Sequence, residues 1–178
     1  MLNMPNFPEN TFTHCPKCGS NHFQKYGKSK LECADCGFVF YINMCCAAVV
    51  FIFNQDGQIL LGKRQKDPQK GLFGLPGGMV DFDETCEQAA IRESWEEVNL
   101  KVTELQYLTS QTNYYEYKDV IYHLLDFYYI GKVEDFTTLK AADETDELIW
   151  IRPAEIDDKI IAFESFRKAL VVLKNLGI

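Results

Sequence analysis

No stretch of this sequence approaches the ~20 consecutive apolar residues that a membrane span requires. The opening MLNMPNFPENTF has neither the basic segment nor the apolar one that together make a secretory signal. A membrane role is not expected, and a reducing cytoplasm fits best. Positive charge is in deficit too: 18 Lys and Arg face 26 Asp and Glu, a formal net charge of -8. A surface of that sign argues against broad, backbone-driven nucleic-acid binding. It suits a carboxylate-rich site for divalent cations. Internal repeats and low-complexity tracts are missing, and nothing points to wholesale disorder.

The chain does have 178 residues at 47% hydrophobic, enough for one compact domain with a small appendage. Its charge is unevenly spread. Residues 1–43 set Lys17, Lys25, Lys28 and Lys30 against Glu9, Glu32 and Asp35, a net of +1, so the remainder carries -9. Seven Cys cannot all pair within one chain. Cys15, Cys18, Cys33 and Cys36 form two CxxC pairs with 14 residues between Cys18 and Cys33, the pattern of a zinc ribbon. Four thiolates fill a tetrahedral shell, so the Zn²⁺ is structural, and it supplies the folding energy that so short a segment lacks. His14 and His22 are read as bystanders. Cys45, Cys46 and Cys86 are expected to be buried as small hydrophobes. The ribbon's lysines, with Phe23 and Tyr26 as stacking surfaces, allow contact with nucleic acid, but a net of +1 does not favour it.

The expected organisation is an N-terminal arm (1–13), a zinc ribbon (14–43) and a main domain (44–178). The apolar run 45–53 reads as a strand buried on both faces. The turn 54–57 leads to a returning hairpin strand over 58–64. Residues 71–78 are dense in Gly and Pro and read as turns. A helix is predicted over 84–98, capped by Asp83 or Thr85. Strands over 101–117 and 120–133 flank a turn at Lys118-Asp119. Another strand covers 148–152, Pro153 opens a helical turn, and a helix over 160–178 stops at Gly177. Strands mixed with a few long helices indicate an α/β (α+β) sandwich.

Glu93, Glu96 and Glu97 carry the most chemical information. At 100° per residue they fall within an arc of roughly 100° on one helix face. Carboxylates that close repel one another, and a hard Mg²⁺ or Mn²⁺ reverses the sign. A bare Glu-x-x-Glu-Glu is ordinarily a solvated face. Here Arg92 supplies a cation to orient a cluster, Gly77-Gly78 allows backbone to approach a phosphate, and Glu84 sits at the helix start.

Residues 78–100, GMVDFDETCEQAAIRESWEEVNL, resemble the Nudix box. Gly78, Glu84, Arg92, Glu93, Glu96, Glu97 and Leu100 match it. Ser94 stands where an aliphatic residue is usual, at a packing position. Asn99 replaces a Gly, and Asn is the next most tolerant of positive φ. GLFGLPGG (71–78), ILLGKR (59–64) and LIWIRPAEI (148–156) are similar to flanking family segments, so the likeness covers residues 45–156. It implies the Nudix α/β/α sandwich with a mixed sheet. It also implies a hydrolase that cuts the diphosphate of a nucleoside diphosphate linked to another group. By the same resemblance Glu93, Glu96 and Glu97 bind the catalytic metal, Glu84 completes their shell, and Arg92 orients a carboxylate. Gly77, Gly78 and Arg64 are the expected substrate contacts, with Lys63 beside them. The general base is a box Glu or one of Asp143, Glu144, Asp146 and Glu147. A zinc ribbon ahead of such a domain resembles the NADH pyrophosphatase and ADP-ribose pyrophosphatase branch. That branch continues Ser-Gln into Pro-Trp-Pro-Phe-Pro, whereas this chain runs Ser110-Gln111-Thr112-Asn113-Tyr114. Tyr114, Tyr115 or Phe73 could stack a base. The expected partner is a small nucleotide substrate, with a homodimer left open. A non-catalytic nucleotide sensor and an RNA-end hydrolase that grips RNA with its ribbon are the competing functions.

Overall fold

The computed structural model describes residues 7–142 and 145–177. They fall into two compact units. One comprises the described residues up to Met44 together with Tyr114–His123; the other comprises Cys45–Asn113 and the described residues from Leu124 on. None of the described helices is long and apolar enough to cross a membrane.

The first unit begins with a helical turn, α1 (Pro8–Thr11), where a polar arm was expected. Pro8 opens it at N1, where its missing N–H costs nothing. Phe7 stacks on His123 with ring centroids 4.5 Å apart, and Glu9 lies 3.7 Å from the same imidazole. Three short strands follow, β1 (Phe23–Tyr26), β2 (Lys30–Cys33) and β3 (Val39–Tyr41), paired antiparallel in that order. Alternation separates their faces. Phe23, Leu31 and Cys33 turn inward with Cys15 to form a small core, and Phe40 packs against it. Phe23 is therefore buried rather than free to stack on a base.

The rest of the described chain adds two sheets. In the first, β4 (Cys45–Ile52) lies between β7 (Gly77–Met79), antiparallel, and β9 (Val120–Val133), parallel; β8 (Val102–Tyr117) closes the far edge. The second sheet orders β10 (Thr145–Ile151), β5 (Ile59–Arg64) and β6 (Phe73–Gly74). The apolar run of β4 is explained by two cores. Ala48, Val50 and Ile52 pack with helix α2 (Cys86–Val98), while Val49 and Phe51 pack with helix α3 (Glu164–Asn175). The result is the mixed-sheet α/β/α sandwich that the resemblance implies.

Four details differ from the sequence reading. β4 and β5 are not two strands of one hairpin sheet; they meet at a single bridge, Phe53 to Ile59, and then diverge into separate sheets. The Gly- and Pro-rich segment 71–78 contains β6 and β7 as well as turns. Ile160 ends a separate 3₁₀ turn, Asp158–Ile160, and residues 161–163 are not helical, because Ile161 bridges to Phe73 and Ala162 N–H donates to the Phe73 carbonyl. Cys45 is exposed, and Cys46 and Cys86 are only half-buried, because all three sit at element ends rather than in the middle of a core.

Helix α2 positions the acidic cluster, and both its ends are fixed. Thr85 caps it through a capping box with Gln88. At its exit Asn99 is left-handed, φ 54° and ψ 37°, and Leu100 N–H returns to the Ser94 carbonyl. Ser94 itself is fully buried and donates to the Ala90 carbonyl at 2.7 Å. The last carbonyls find donors in one loop: Ala142 N–H to Glu97, Lys140 N–H to Val98, and the Thr138 hydroxyl to Asn99. Asn99 Nδ2 donates back to the Thr138 carbonyl at 2.7 Å.

Asn99→Ala loses both the tolerance for positive φ and that side-chain bond. It is expected to destabilise the fold by about 1–2 kcal/mol in urea titration. Asn99→Gly restores the backbone freedom and should lose less; equal losses would contradict a conformational role.

Candidate active site and metal centre

Arg92 is the centre of the acidic cluster. Its Nε and one Nη form a fork on the two oxygens of Glu84, both at 2.9 Å. The other Nη donates to Glu93 at 2.8 Å and to Glu96 at 3.0 Å. The fifth N–H reaches the Met79 carbonyl at 3.0 Å. All five guanidinium donors are thus in use, in the planar geometry that suits carboxylates. Three carboxylates that would otherwise repel are held around one cation. The Arg92 bond, helped by Asp81 N–H, pulls the Glu84 carboxyl below its usual range. Burial pushes the Glu93 carboxyl up, and Arg92 only partly opposes that shift.

Glu93 lies against Gly78, whose missing Cβ leaves room for it: a methyl there would collide with the Glu93 carboxylate. Gly77, at φ 148°, packs so closely on Ala48 and Val49 of β4 that a side chain has no space. Its N–H donates to Glu97 Oε2 at 3.0 Å. Glu97 is thus tied to the backbone of β7, while Glu93 and Glu96 are held by Arg92. The three expected metal ligands share a helix face, but their oxygens are not gathered at one point. Among the described residues only the four ribbon cysteines form such a group, with ligating atoms within 4.8 Å of one another.

Glu97 and Gly77 line a small solvent-open cleft together with Arg64, Gly62, Pro76 and Thr145. Arg64 donates from Nε to the Pro68 carbonyl at 2.9 Å, and its guanidinium lies 5.0 Å over the Phe163 ring. Lys63 pairs with Glu147 at 3.2 Å. Asp143 and Glu144, two of the expected bases, lie outside the described residues; Asp146 and Glu147 follow Thr145 on β10. Of the expected stacking aromatics, Phe73 packs against the α3 core and Tyr114 contacts Phe7 and His123. Sequence reasoning named Gly77 but missed its N–H bond to Glu97, and it missed the Met79 carbonyl and Thr145, because none of these contacts follows from spacing along the chain.

In the first unit the four cysteines converge from two knuckles. Gly19 N–H returns to the Cys15 carbonyl, and Gly37 N–H to the Cys33 carbonyl. Both glycines have positive φ, 77° and 68°. The sulfurs of Cys15 and Cys36, and of Cys18 and Cys33, are each 3.7 Å apart. That is the edge of a tetrahedron with metal–sulfur bonds near 2.3 Å. His14 and His22 bond to Thr13 and Asp35.

The NUDIX domain model matches residues 45–171. The chain belongs to the NUDIX family. It is 29% identical over 119 residues to an NAD-capped RNA hydrolase NudC of Haemophilus influenzae, an alignment covering 66% of this chain and 45% of that protein. This NUDIX chain therefore spans about half the length of the curated relatives it matches. An ADP-ribose pyrophosphatase of Methanocaldococcus jannaschii is 51% identical over 53 residues, 30% of this chain and 31% of that one. A NUDIX hydrolase structure from Nitrosomonas europaea superposes with TM-score 0.65 at 22% identity, covering 93% of both chains.

Two outcomes test these sites. The stabilisation that Glu84 gains from Arg92 is present above the unfolded carboxyl range near pH 4.3 and disappears as pH falls through the lower folded value. Melting curves of the parent and Arg92→Ala should accordingly differ most near neutrality and converge on acidification; a gap independent of pH would rule out the ion pair as its source. Cys33→Ser should release one equivalent of zinc and loosen residues 14–41 while Mg²⁺ binding survives. Loss of both metals together would contradict two separate sites.

Proposed function

We propose that this chain is a metal-dependent hydrolase of a diphosphate that links a nucleoside to another group, such as ADP-ribose, an NTP, a dinucleotide or a nucleotide sugar, and that it works in the cytoplasm. The observation that carries this reading is the acidic face of α2. There Arg92 holds Glu84, Glu93 and Glu96, while Glu97 turns into the cleft that Gly77 and Arg64 line. The relatives' names support the same bond type: one acts on NAD-capped RNA, another is an ADP-ribose pyrophosphatase.

The donor set fits a hard divalent cation. It is all oxygen, and the space beside Gly78 accommodates the Glu93 carboxylate without a clash. Glu93 and Glu96 would hold Mg²⁺ or Mn²⁺, with Glu97 turning from the Gly77 N–H to join them as the ion binds and Glu84 behind them. When bound, such an ion neutralises the diphosphate and lowers the pKa of a coordinated water. The protein supplies the rest. Arg64 and the backbone at Gly77 and Gly78 orient the phosphates. The fork on Glu84 keeps Arg92 committed to the carboxylates. A carboxylate, either a box Glu or one of Asp143, Glu144, Asp146 and Glu147, takes the proton as water attacks phosphorus. The bridging P–O bond breaks, and a nucleoside monophosphate leaves. In the ribbon, Cys15, Cys18, Cys33 and Cys36 would hold a structural Zn²⁺.

The purified protein with Mg²⁺ or Mn²⁺ should turn over at least one member of a panel of ADP-ribose, NADH, NTPs and NAD-capped RNA. Glu97→Gln is expected to lose at least about 100-fold of that rate. Tight nucleotide binding with no turnover by the parent protein would replace this reading with a sensor. Activity confined to the capped RNA would replace it with an RNA-end hydrolase.

A further inference from the structure

The outer face of the ribbon has no part in the site described above. In the register of β1–β3, Tyr26 lies directly opposite Lys30, and Lys30 directly opposite Tyr41. The three form one cross-strand row, with the tyrosines roughly two strand spacings, about 10 Å, apart. The inward face is closed by Phe23, Leu31, Cys33 and Phe40, so the row points outward. Tyr26 and Tyr41 are 51% and 58% exposed, unusual for large rings with a core nearby. The Lys30 ammonium sits 5.3 Å over the Tyr26 ring. Its partner, Glu32, is a half-buried carboxylate at 2.6 Å on the same face, which a phosphate would have to displace from Lys30.

Charge distinguishes this unit from the rest. Five lysines, Lys118 included, balance five acids in it, so the whole net charge of -8 falls on the other unit. Residues 10–31 contain Lys17, Lys25, Lys28 and Lys30 and no Asp or Glu. Lys28 sits in the turn between Tyr26 and Lys30.

We propose that this face binds single-stranded nucleic acid, with bases stacked on Tyr26 and Tyr41 and Lys30 between them contacting a phosphate. Flat aromatic planes interleaved with cations suit an unpaired strand, because every base offers a π-face and every step a negative charge. The chain's net acidity is carried by the other unit.

The test uses the full zinc-loaded chain and a fluorescein-labelled 12-nucleotide RNA, read by anisotropy without Mg²⁺ or Mn²⁺, so that the outcome is independent of hydrolysis. The double variant Tyr26→Ala/Tyr41→Ala should bind on the order of tenfold or more weakly. Tyr26→Leu/Tyr41→Leu keeps apolar bulk and strand propensity and should show the same loss with zinc content unchanged. Lys30→Gln should lower the salt slope by about 0.7. Tyr107→Ala, an exposed tyrosine of the other unit, should bind like the parent. Parent protein that does not bind RNA, or leucine and alanine pairs that bind as the parent does, would overturn the proposal. So would variants that lose self-association in sedimentation while RNA affinity holds, which would make the face an interface between copies.

Discussion

Like charges on one helix face repel, and the guanidinium of Arg92 answers that repulsion in this fold. It holds Glu84 in a fork, gathers Glu93 and Glu96 on one nitrogen, and ties the group to β7 through the Met79 carbonyl. A lysine, as a point charge, cannot hold that many partners in one plane. Much of the site is arranged to leave this unit undisturbed. The capping box fixes where α2 begins, Gly78 makes room for Glu93, and Gly77 comes close enough to β4 to offer its N–H to Glu97.

Features set by local rules were legible in the sequence. The capping residue, the left-handed exit at Asn99, the turn at Lys118-Asp119 and the two knuckles each depend on a few neighbouring residues. The shared helix face of Glu93, Glu96 and Glu97 follows from periodicity. The family resemblance added which of those residues belong to one site. Hidden features depend on contacts between distant segments. β4 and β5 part into two sheets because β9 pairs with the one and β10 with the other. Glu97 is bonded by the Gly77 amide, 20 residues upstream.

Cysteine shows the same boundary. Spacing was enough to assemble Cys15, Cys18, Cys33 and Cys36, because two knuckles and a hairpin leave the chain little freedom. For Cys45, Cys46 and Cys86 the prior that cysteine is buried gave the wrong environment, because burial depends on position within an element. Phe23 and Tyr26 make the point within a single strand: three residues apart on a pleat, they face opposite ways, and the one that closes the core is unavailable to a ligand.

The loop that closes α2 has a further implication. Three successive carbonyls at the helix end, Glu97, Val98 and Asn99, are each bonded by residues 138–142, spaced two apart. The main chain of a cleft-lining carboxylate and the start of the acidic segment are thus fastened like rungs of one short ladder. Inserting or deleting a residue between 138 and 142 would break the ladder and shift Glu97 with it. Past the last rung Thr145 N–H donates to the Ala142 carbonyl, and Thr145 itself lines the cleft, so one loop ties the end of the carboxylate helix to the cleft wall and a change at either end is felt at the other.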